Sequence, residues 1–108
     1  MTLEEWQKAV DEWIKQHGVR YFDEKTNTLL LMEEVGEFAR HVARQFGEQS
    51  YKSTEEPSGL QKELLDIFFV ITCLANQLEI NLEEELRMHL QSKANRDHER
   101  HHNNPKLK

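Results

Sequence analysis

Apolar residues recur at helical intervals along four segments of the chain. In the first segment they share one face of a helix, at positions 3, 6, 10, 13 and 14. Thr2 and Glu5 have the spacing of a capping box, so helix one is expected to begin there and to end near Gly18. The second periodic segment predicts helix two over residues 28–46, followed by Gly47, a residue suited to a helix C-terminus.

A polar stretch separates this half of the chain from two further periodic segments. Residues 47–57 are aperiodic and close with Pro57, which predicts a loop of the length that often serves as a functional lid. Ser58 and Gln61 have the spacing of another capping box, so helix three is expected over residues 59–78.

Helix four is expected to begin at Asn81, which has the N-cap spacing to Glu84, and its apolar stripe ends near Asn95. Residues 97–108 show no apolar stripe and are expected to form a flexible polar tail after a domain of residues 1–96. With only 4 Gly and 2 Pro in the chain, these patterns predict an all-α fold, an antiparallel bundle of four helices.

Length and charge limit the classes of function. The 108 residues suffice for one domain, and the formal net charge of −6 argues against non-specific binding to nucleic acid, which requires clustered Lys and Arg. We find neither a leader pattern nor an uncharged stretch near the roughly 20 residues that cross a bilayer. These observations predict a cytoplasmic protein that binds neither a nucleic acid polymer nor a membrane. Cys73 lies in an apolar run and is expected to pack as a small hydrophobe.

Helix two carries an acidic face. Successive residues of a helix are rotated by about 100°. Four polar residues therefore fall within roughly a quarter turn: Glu33, Glu34, Glu37 and His41. For a Glu-rich helix, a solvated acidic face is a more common explanation of such a pattern than a metal site. His41 could lie at the rim of such a site, but a surface hydrogen bond to Glu37 is the more common role and is expected here. Helix two alone leaves both interpretations open.

Helix three carries apolar residues in nearly every direction, as expected of a helix that is buried on all sides. Glu63 and Asp66 therefore cannot both reach open water, and a buried carboxylate is costly unless it is paired, hydrogen-bonded or bound to metal. Lys62 is the one cation on this helix. A divalent cation is the simplest compensation for the two carboxylates.

Each of the two helices presents a pair of carboxylates three residues apart. The pairs are Glu34 with Glu37 and Glu63 with Asp66. They converge on one site if the helices pack antiparallel, which their connection permits. Carboxylates without Cys or His form a hard oxygen site, which suits Mg²⁺ or Mn²⁺ better than Zn²⁺.

Two motifs resemble those of a known family. They are Glu33-Glu34-Val35-Gly36-Glu37 in helix two and Glu63-Leu64-Leu65-Asp66 in helix three. Together they resemble the paired E-E-x-x-E and E-x-x-D motifs of the MazG-like, all-α nucleoside triphosphate pyrophosphohydrolase superfamily. The resemblance covers about residues 3–96 and includes the order of the helices.

The resemblance implies a MazG-type helical fold and a hydrolase that converts an NTP or dNTP into a nucleoside monophosphate and pyrophosphate, with sanitation of the nucleotide pool as one role. It implies Mg²⁺ as cofactor, with Mn²⁺ as a substitute. Carried over by position, the metal ligands would be Glu34, Glu37, Glu63 and Asp66. Glu33 would be a supporting catalytic residue that orients or deprotonates the attacking water.

Helix one supplies further candidates for substrate contacts. Trp6 and Trp13 lie on one side of the helix, where either could stack on a nucleobase, although such a stripe more often packs in a core or an interface. His17 at the end of the helix could contact substrate or could instead interact favourably with the helix dipole.

The end of helix four carries a polar group of three residues that are candidates for phosphate or sugar contacts. They are Lys93, Asn95 and Arg96. An ordinary polar helix end, with cations favourably placed at its C-terminus, explains them equally well.

Two other classes of function use similar residues. A di-iron bundle needs inward Glu-x-x-His pairs, and the only such spacing joins Glu99 to His102 in the tail. A non-catalytic dimerisation or interaction module could carry the acidic face as a charged surface, but it would leave Glu63 and Asp66 uncompensated. Because helix three has more apolar surface than a chain of this length can cover, a homodimer or homotetramer is also expected.

Overall fold

Helices form most of the computed structural model, which describes residues 1–108. In chain order the elements are α1 (Leu3–Trp13), a π-helical turn (Ile14–Gly18), α2 (Glu24–Gln45), α3 (Leu60–Gln77), α4 (Leu82–His102) and a 3₁₀ turn (Pro105–Leu107). The chain contains no strand, which confirms the predicted all-α class. None of these helices combines the length and the apolarity that a membrane span requires.

Local hydrogen bonds set where the helices begin. Thr2 and Glu5 form the predicted capping box of α1, in which the Thr2 hydroxyl accepts the Glu5 N–H at 3.1 Å. α2 begins earlier than predicted, because the Asp23 carboxylate caps it by accepting the Thr26 N–H at 2.8 Å. Asn81 caps α4 as predicted.

The structure corrects the predicted end of helix four. α4 continues through His102, well past position 95. Asp97 is buried, and its carboxylate lies 2.8 Å from the Arg96 guanidinium and 3.8 Å from that of Arg100. The hydrogen bonds from Arg96 hold the pKa of Asp97 below its usual value. Residues 97–102 of the predicted tail therefore belong to α4. The flexibility of residues 97–108 is still a prediction.

α2 and α3 pack antiparallel. Asn27, near the start of α2, donates to Gln77 at the end of α3 at 2.7 Å. Gln45, at the end of α2, donates to the carbonyl of Ser58 just before α3 at 2.8 Å. Since opposite ends of the two helices meet, the middle and second half of α2 lie against the first half of α3.

α1 packs on another side of α3, and the small core lies between them. Its buried apolar residues are Val10, Ile14 and Cys73. Cys73 packs among these side chains, and burial raises the pKa of its thiol to about 11. The thiol is therefore protonated and unreactive at neutral pH, which agrees with the predicted packing role.

α3 is not enclosed on all sides, contrary to the sequence-based expectation. Leu64 and Leu65 on α3 are 52% and 58% exposed, because only α1 and α2 pack against this helix while α4 packs on α1. The radius of gyration is 17.8 Å, compared with about 13 Å for a compact domain of this length. The chain exposes 8737 Å², whereas a folded monomer of its size exposes roughly 6,300 Å².

Candidate active site

Three carboxylates meet where α2 lies against the first turns of α3. Glu34 on α2 and Glu63 and Asp66 on α3 each offer an oxygen, and the three oxygens lie within 4.8 Å of one another. The three-residue spacing turns Glu63 and Asp66 to the same face of α3, and the antiparallel packing brings Glu34 opposite them. Glu63 is buried, whereas Glu34 and Asp66 are partly buried.

The electrostatic environment of Glu34 is short of positive charge. Burial raises the pKa of the Glu34 carboxyl above its usual value. The Asp66 and Glu63 carboxylates raise this pKa further, and only the Lys62 ammonium acts in the opposite direction. The ionised form of Glu34 is therefore disfavoured in the folded protein, and a cation bound between the three carboxylates would offset this cost.

Two polar side chains approach the buried Glu63. The Ser58 hydroxyl donates to Glu63 Oε1 at 2.7 Å, and His41 Nε2 lies 3.6 Å from the same oxygen. The predicted capping box of helix three is wrong, because the Ser58 hydroxyl is used by Glu63 while Gly59 occupies the N-cap position without a side-chain hydrogen bond. Glu63 forms no ion pair with a lysine or an arginine.

Asp66 has a cationic partner, so this carboxylate does not by itself require a divalent cation, contrary to the sequence-based expectation. The Lys62 ammonium lies 2.8 Å from the Asp66 carboxylate, one helical turn away. The side chains of Lys62 and Asp66 are 71% and 37% exposed, and ion pairs this open to water contribute little free energy. Lys62 therefore neutralises the rim of the site and leaves Glu63 and Glu34 without a close cation.

Glu37 lies at the edge of this cluster. The Glu37 side chain is 55% exposed, and its carboxylate is 4.0 Å from His41 Nε2. Glu33 is also exposed. The structure thus brings together three of the four predicted metal ligands, while Glu37 lies beside them across His41.

The side chains present fit a divalent cation. All three clustered donors are carboxylate oxygens, which Mg²⁺ and Mn²⁺ prefer. Two ligands of one Mg²⁺ lie at most about 4.2 Å apart, so oxygens within 4.8 Å of one another reach that separation through small side-chain rotations. The raised pKa of Glu34 supports the same fit.

His41 is a buried member of the site rather than a surface residue. Only 4% of it is exposed, and its Nδ1 lies 2.6 Å from the Tyr51 hydroxyl. The expected surface hydrogen bond to Glu37 is therefore wrong. The sequence placed His41 on the same face as the carboxylates, but it gave no signal for Tyr51, which lies in an aperiodic segment.

The segment between α2 and α3 is held against α2 by a partly buried carboxylate. Glu55 forms an ion pair with Arg40, and it lies 3.9 Å from Arg44 Nε. It also accepts the Lys52 backbone N–H at 3.1 Å. That backbone hydrogen bond, opposed by burial and assisted by the Arg40 and Arg44 guanidiniums, holds the pKa of Glu55 below its usual value.

Glu55→Gln is expected to lower the stability of this segment in a pH-dependent way. A carboxyl whose pKa is depressed on folding stabilises the protein above its unfolded pKa, near 4.5, and loses that contribution as the pH falls through the folded pKa. The difference in free energy of unfolding between wild type and Glu55→Gln should therefore be largest near neutral pH and shrink in acid. Urea unfolding across pH measures it, with Glu56→Gln as control. A pH-independent difference would contradict the role of the Glu55 charge.

Trp13 and His17 lie together, whereas Trp6 packs elsewhere. The Trp13 and His17 rings are 5.3 Å apart between centroids, and Trp13 is 50% exposed. His17 belongs to the π-helical turn, a rare element that is common at functional sites. Trp6 instead donates from Nε1 to the Thr72 hydroxyl at 2.8 Å and stacks on Phe68.

The predicted contacts on α4 stay exposed in the single chain. Arg96 is engaged by Asp97, and Asn95 accepts a hydrogen bond from Gln91 at 3.1 Å. Because α4 packs mainly on α1, the structure does not join Lys93, Asn95 or Arg96 to the carboxylates.

An all-helical fold in which two antiparallel helices bring carboxylates together is suited to metal-assisted hydrolysis of a phosphate anhydride. A family model described as the MazG nucleotide pyrophosphohydrolase domain matches residues 22–103. The chain belongs to this family.

Relatives support the assignment in sequence and in structure. The uncharacterized protein YpjD of Bacillus subtilis (strain 168) is 41% identical over 83 residues, which cover 77% of this chain and 75% of the relative. A crystal structure of YPJD from B. subtilis, provisionally named a pyrophosphatase, superposes with a TM-score of 0.74 at 37% identity over 85% of this chain and 94% of that one. The Bacillus-conserved MazG protein, a nucleotide pyrophosphohydrolase, gives 0.72 at 34% identity, with 85% and 88% covered.

The protein is therefore an enzyme, a nucleotide pyrophosphohydrolase of the MazG type that acts on acid anhydrides. Enzymes of this type generally depend on a divalent metal, and the acidic cluster is the part of this chain that fits one. The predicted family and enzyme class are confirmed, and the alternative of a non-catalytic module is set aside.

Proposed function

We propose that the protein hydrolyses a nucleoside triphosphate, NTP or dNTP, between its α- and β-phosphates and releases a nucleoside monophosphate and pyrophosphate. The observation that carries the proposal is the convergence of Glu34, Glu63 and Asp66 within 4.8 Å. With the neighbouring Glu37, they would hold Mg²⁺, for which Mn²⁺ is a substitute. A cytoplasmic nucleotide pool would supply the substrate, and sanitation of that pool is the role we favour.

The metal would neutralise charge on the phosphates and lower the pKa of a bound water. Glu63, fixed by Ser58, keeps one ligand oxygen in place before substrate arrives. Glu33, which precedes Glu34 in the chain and is exposed, would orient or deprotonate the attacking water. Lys62 at the rim can move from Asp66 toward a phosphate, because its ammonium is well exposed.

Base and sugar contacts are proposed for the residues outside the acidic cluster. Trp13 has an exposed ring face for stacking on a base, and His17 stands beside it. In the single chain, Lys93, Asn95 and Arg96 lie on the projecting helix α4. They would reach a phosphate or sugar in the site of a second copy of the chain.

Product identity tests the proposed reaction. Purified protein with Mg²⁺ is expected to convert at least one NTP or dNTP into equimolar nucleoside monophosphate and pyrophosphate, resolved by ion-exchange chromatography or ³¹P NMR. A panel of canonical and modified nucleotides also identifies the preferred base and sugar. Release of inorganic phosphate with a nucleoside diphosphate, or no turnover with either Mg²⁺ or Mn²⁺, would contradict α,β-cleavage.

We also propose a homodimer or homotetramer. The surface exposed beyond that of a typical monomer, about 2,400 Å² (8737 Å² less roughly 6,300 Å²), is the size of an obligate interface. Light scattering at micromolar concentration should give a multiple of the chain mass. Leu65→Glu on the open face of α3 should shift the mass toward the monomer, while Leu107→Glu in the terminal turn should not. A monomeric wild type would contradict the proposal.

A further inference from the structure

Tyr51 and His41 form a hydrogen-bonded pair beside the carboxylates. His41 is 4% exposed, and its Nδ1 lies 2.6 Å from the Tyr51 hydroxyl oxygen. The two rings are tilted, with centroids 5.5 Å apart. His41 comes from α2, whereas Tyr51 comes from the segment that joins α2 to α3. Neither residue has a role in the proposed reaction.

A third residue decides which atom of this pair carries the proton. Gln45 Nε2 donates to the Tyr51 hydroxyl oxygen at 2.9 Å and to the Ser58 carbonyl at 2.8 Å. The carbonyl fixes the orientation of the Gln45 amide, because only its nitrogen can donate. The Tyr51 hydroxyl therefore accepts from Gln45, and His41 Nδ1 is the acceptor within hydrogen-bond distance of its own proton. A neutral imidazole that accepts at Nδ1 carries its proton on Nε2.

The protonated nitrogen faces two of the proposed metal ligands. His41 Nε2 lies 3.6 Å from Glu63 Oε1 and 4.0 Å from Glu37 Oε2. Both carboxylates can only accept when ionised, so an N–H between them attracts both, whereas the opposite tautomer would present a lone pair and repel them. Ser58 donates to the same oxygen of Glu63. The segment between α2 and α3 thus reaches Glu63 directly through Ser58 and indirectly through Tyr51 and His41.

We propose that Tyr51 holds His41 in the tautomer protonated at Nε2, and that His41 in turn orients Glu63 and Glu37 for the divalent metal. His41 is a positioning residue, and Tyr51 acts through it. The inference rests on the proposed function, because it takes these carboxylates as ligands. As a consequence, the packing of the segment between α2 and α3 against α2 controls the affinity of the site for the metal.

The tautomer is tested without metal. Tyr51→Phe keeps the ring beside His41 and removes only the hydroxyl. In ¹⁵N spectra of the metal-free protein under alkaline conditions, wild-type His41 should show an unprotonated Nδ1 and a protonated Nε2. In Tyr51→Phe both nitrogens should shift toward the values of a tautomer mixture. A wild-type proton on Nδ1, or a tautomer unchanged by Tyr51→Phe, overturns the proposal, and a role limited to packing predicts the latter.

Mn²⁺ binding, measured by electron paramagnetic resonance of the free ion, tests the effect on the ligands. His41→Leu should weaken binding by about 10–100-fold and Tyr51→Phe by about tenfold, as expected for partners that orient metal ligands. His41→Gln, whose amide N–H can point toward Glu63, should restore most of the loss. Tyr21 packs against the core between α1 and α3, and its hydroxyl donates to Asp11 at 2.7 Å. Tyr21→Phe, the same substitution away from the carboxylates, should leave Mn²⁺ affinity unchanged.

The outcomes separate this inference from the proposed function. Equal Mn²⁺ affinity in wild type, His41→Leu and Tyr51→Phe overturns the positioning role and leaves the metal site intact. A wild type that binds no Mn²⁺ overturns both. Loss of thermal stability in His41→Leu with unchanged Mn²⁺ affinity identifies a structural role alone and also overturns the proposal.

Discussion

Glu63→Gln is expected to lower turnover more than 100-fold while leaving the metal-free protein at least as heat-stable as wild type. Even residues one step removed from a metal cost about 10–100-fold when lost, and Glu63 is a proposed ligand. Its charge also raises the pKa of Glu34, so neutralising it removes a repulsion from the folded state. Glutamine keeps the shape and an oxygen that can accept from Ser58.

The measurement is thermal unfolding of both proteins in EDTA and in Mg²⁺, together with kcat. Mg²⁺ should stabilise wild type because it binds only the folded state, and it should stabilise Glu63→Gln much less. Glu48→Gln in an exposed position is the matched control. If Glu63 served instead to pair a buried cation, its neutralisation would cost roughly 3–5 kcal/mol in EDTA. Such a loss, with no effect of Mg²⁺ on wild type, would refute the metal site.

Replacement of the two tryptophans of α1 is expected to affect stability to different extents. Trp6→Ala should destabilise the protein by about 3 kcal/mol, because it removes the stacking on Phe68 and leaves the buried Thr72 hydroxyl without its donor. For a domain of this length, that lowers the melting temperature by roughly 10–25 °C. Trp13→Ala should cost only about 1 kcal/mol, since the ring is half exposed and loses mainly its edge contact with Phe69.

For substrate binding, replacement of Trp13 should have the larger effect. If Trp13 stacks on the base, Trp13→Ala raises KM by about tenfold, since such stacking contributes about 1–3 kcal/mol. Trp6→Phe keeps the stacking on Phe68 and should leave KM unchanged at temperatures where it is folded. Steady-state kinetics and calorimetry measure both effects. An unchanged KM in Trp13→Ala would remove it from the substrate site, and a fully stable Trp6→Ala would contradict its structural role.

The capping and periodicity of the helices were readable in the sequence because both are local. Thr2 and Asn81 cap helices through atoms three residues away. Asp23 caps α2 over the same short range, so the sequence also contained the signal for the observed start of α2. Ser58 shows the limit of such signals. Its spacing to Gln61 fits a capping box, but a buried carboxylate competes for the hydroxyl, and that competition depends on tertiary contact.

The sequence by itself determined the helical class, the family motifs and the sharing of a helix face by Glu63 and Asp66, because helix geometry fixes relations over three or four residues. Only the tertiary structure decided that Glu34 rather than Glu37 joins them within 4.8 Å. It also decided that His41 is buried against Tyr51. These relations depend on how two helices approach each other and on an aperiodic segment between them, and no local periodicity encodes either.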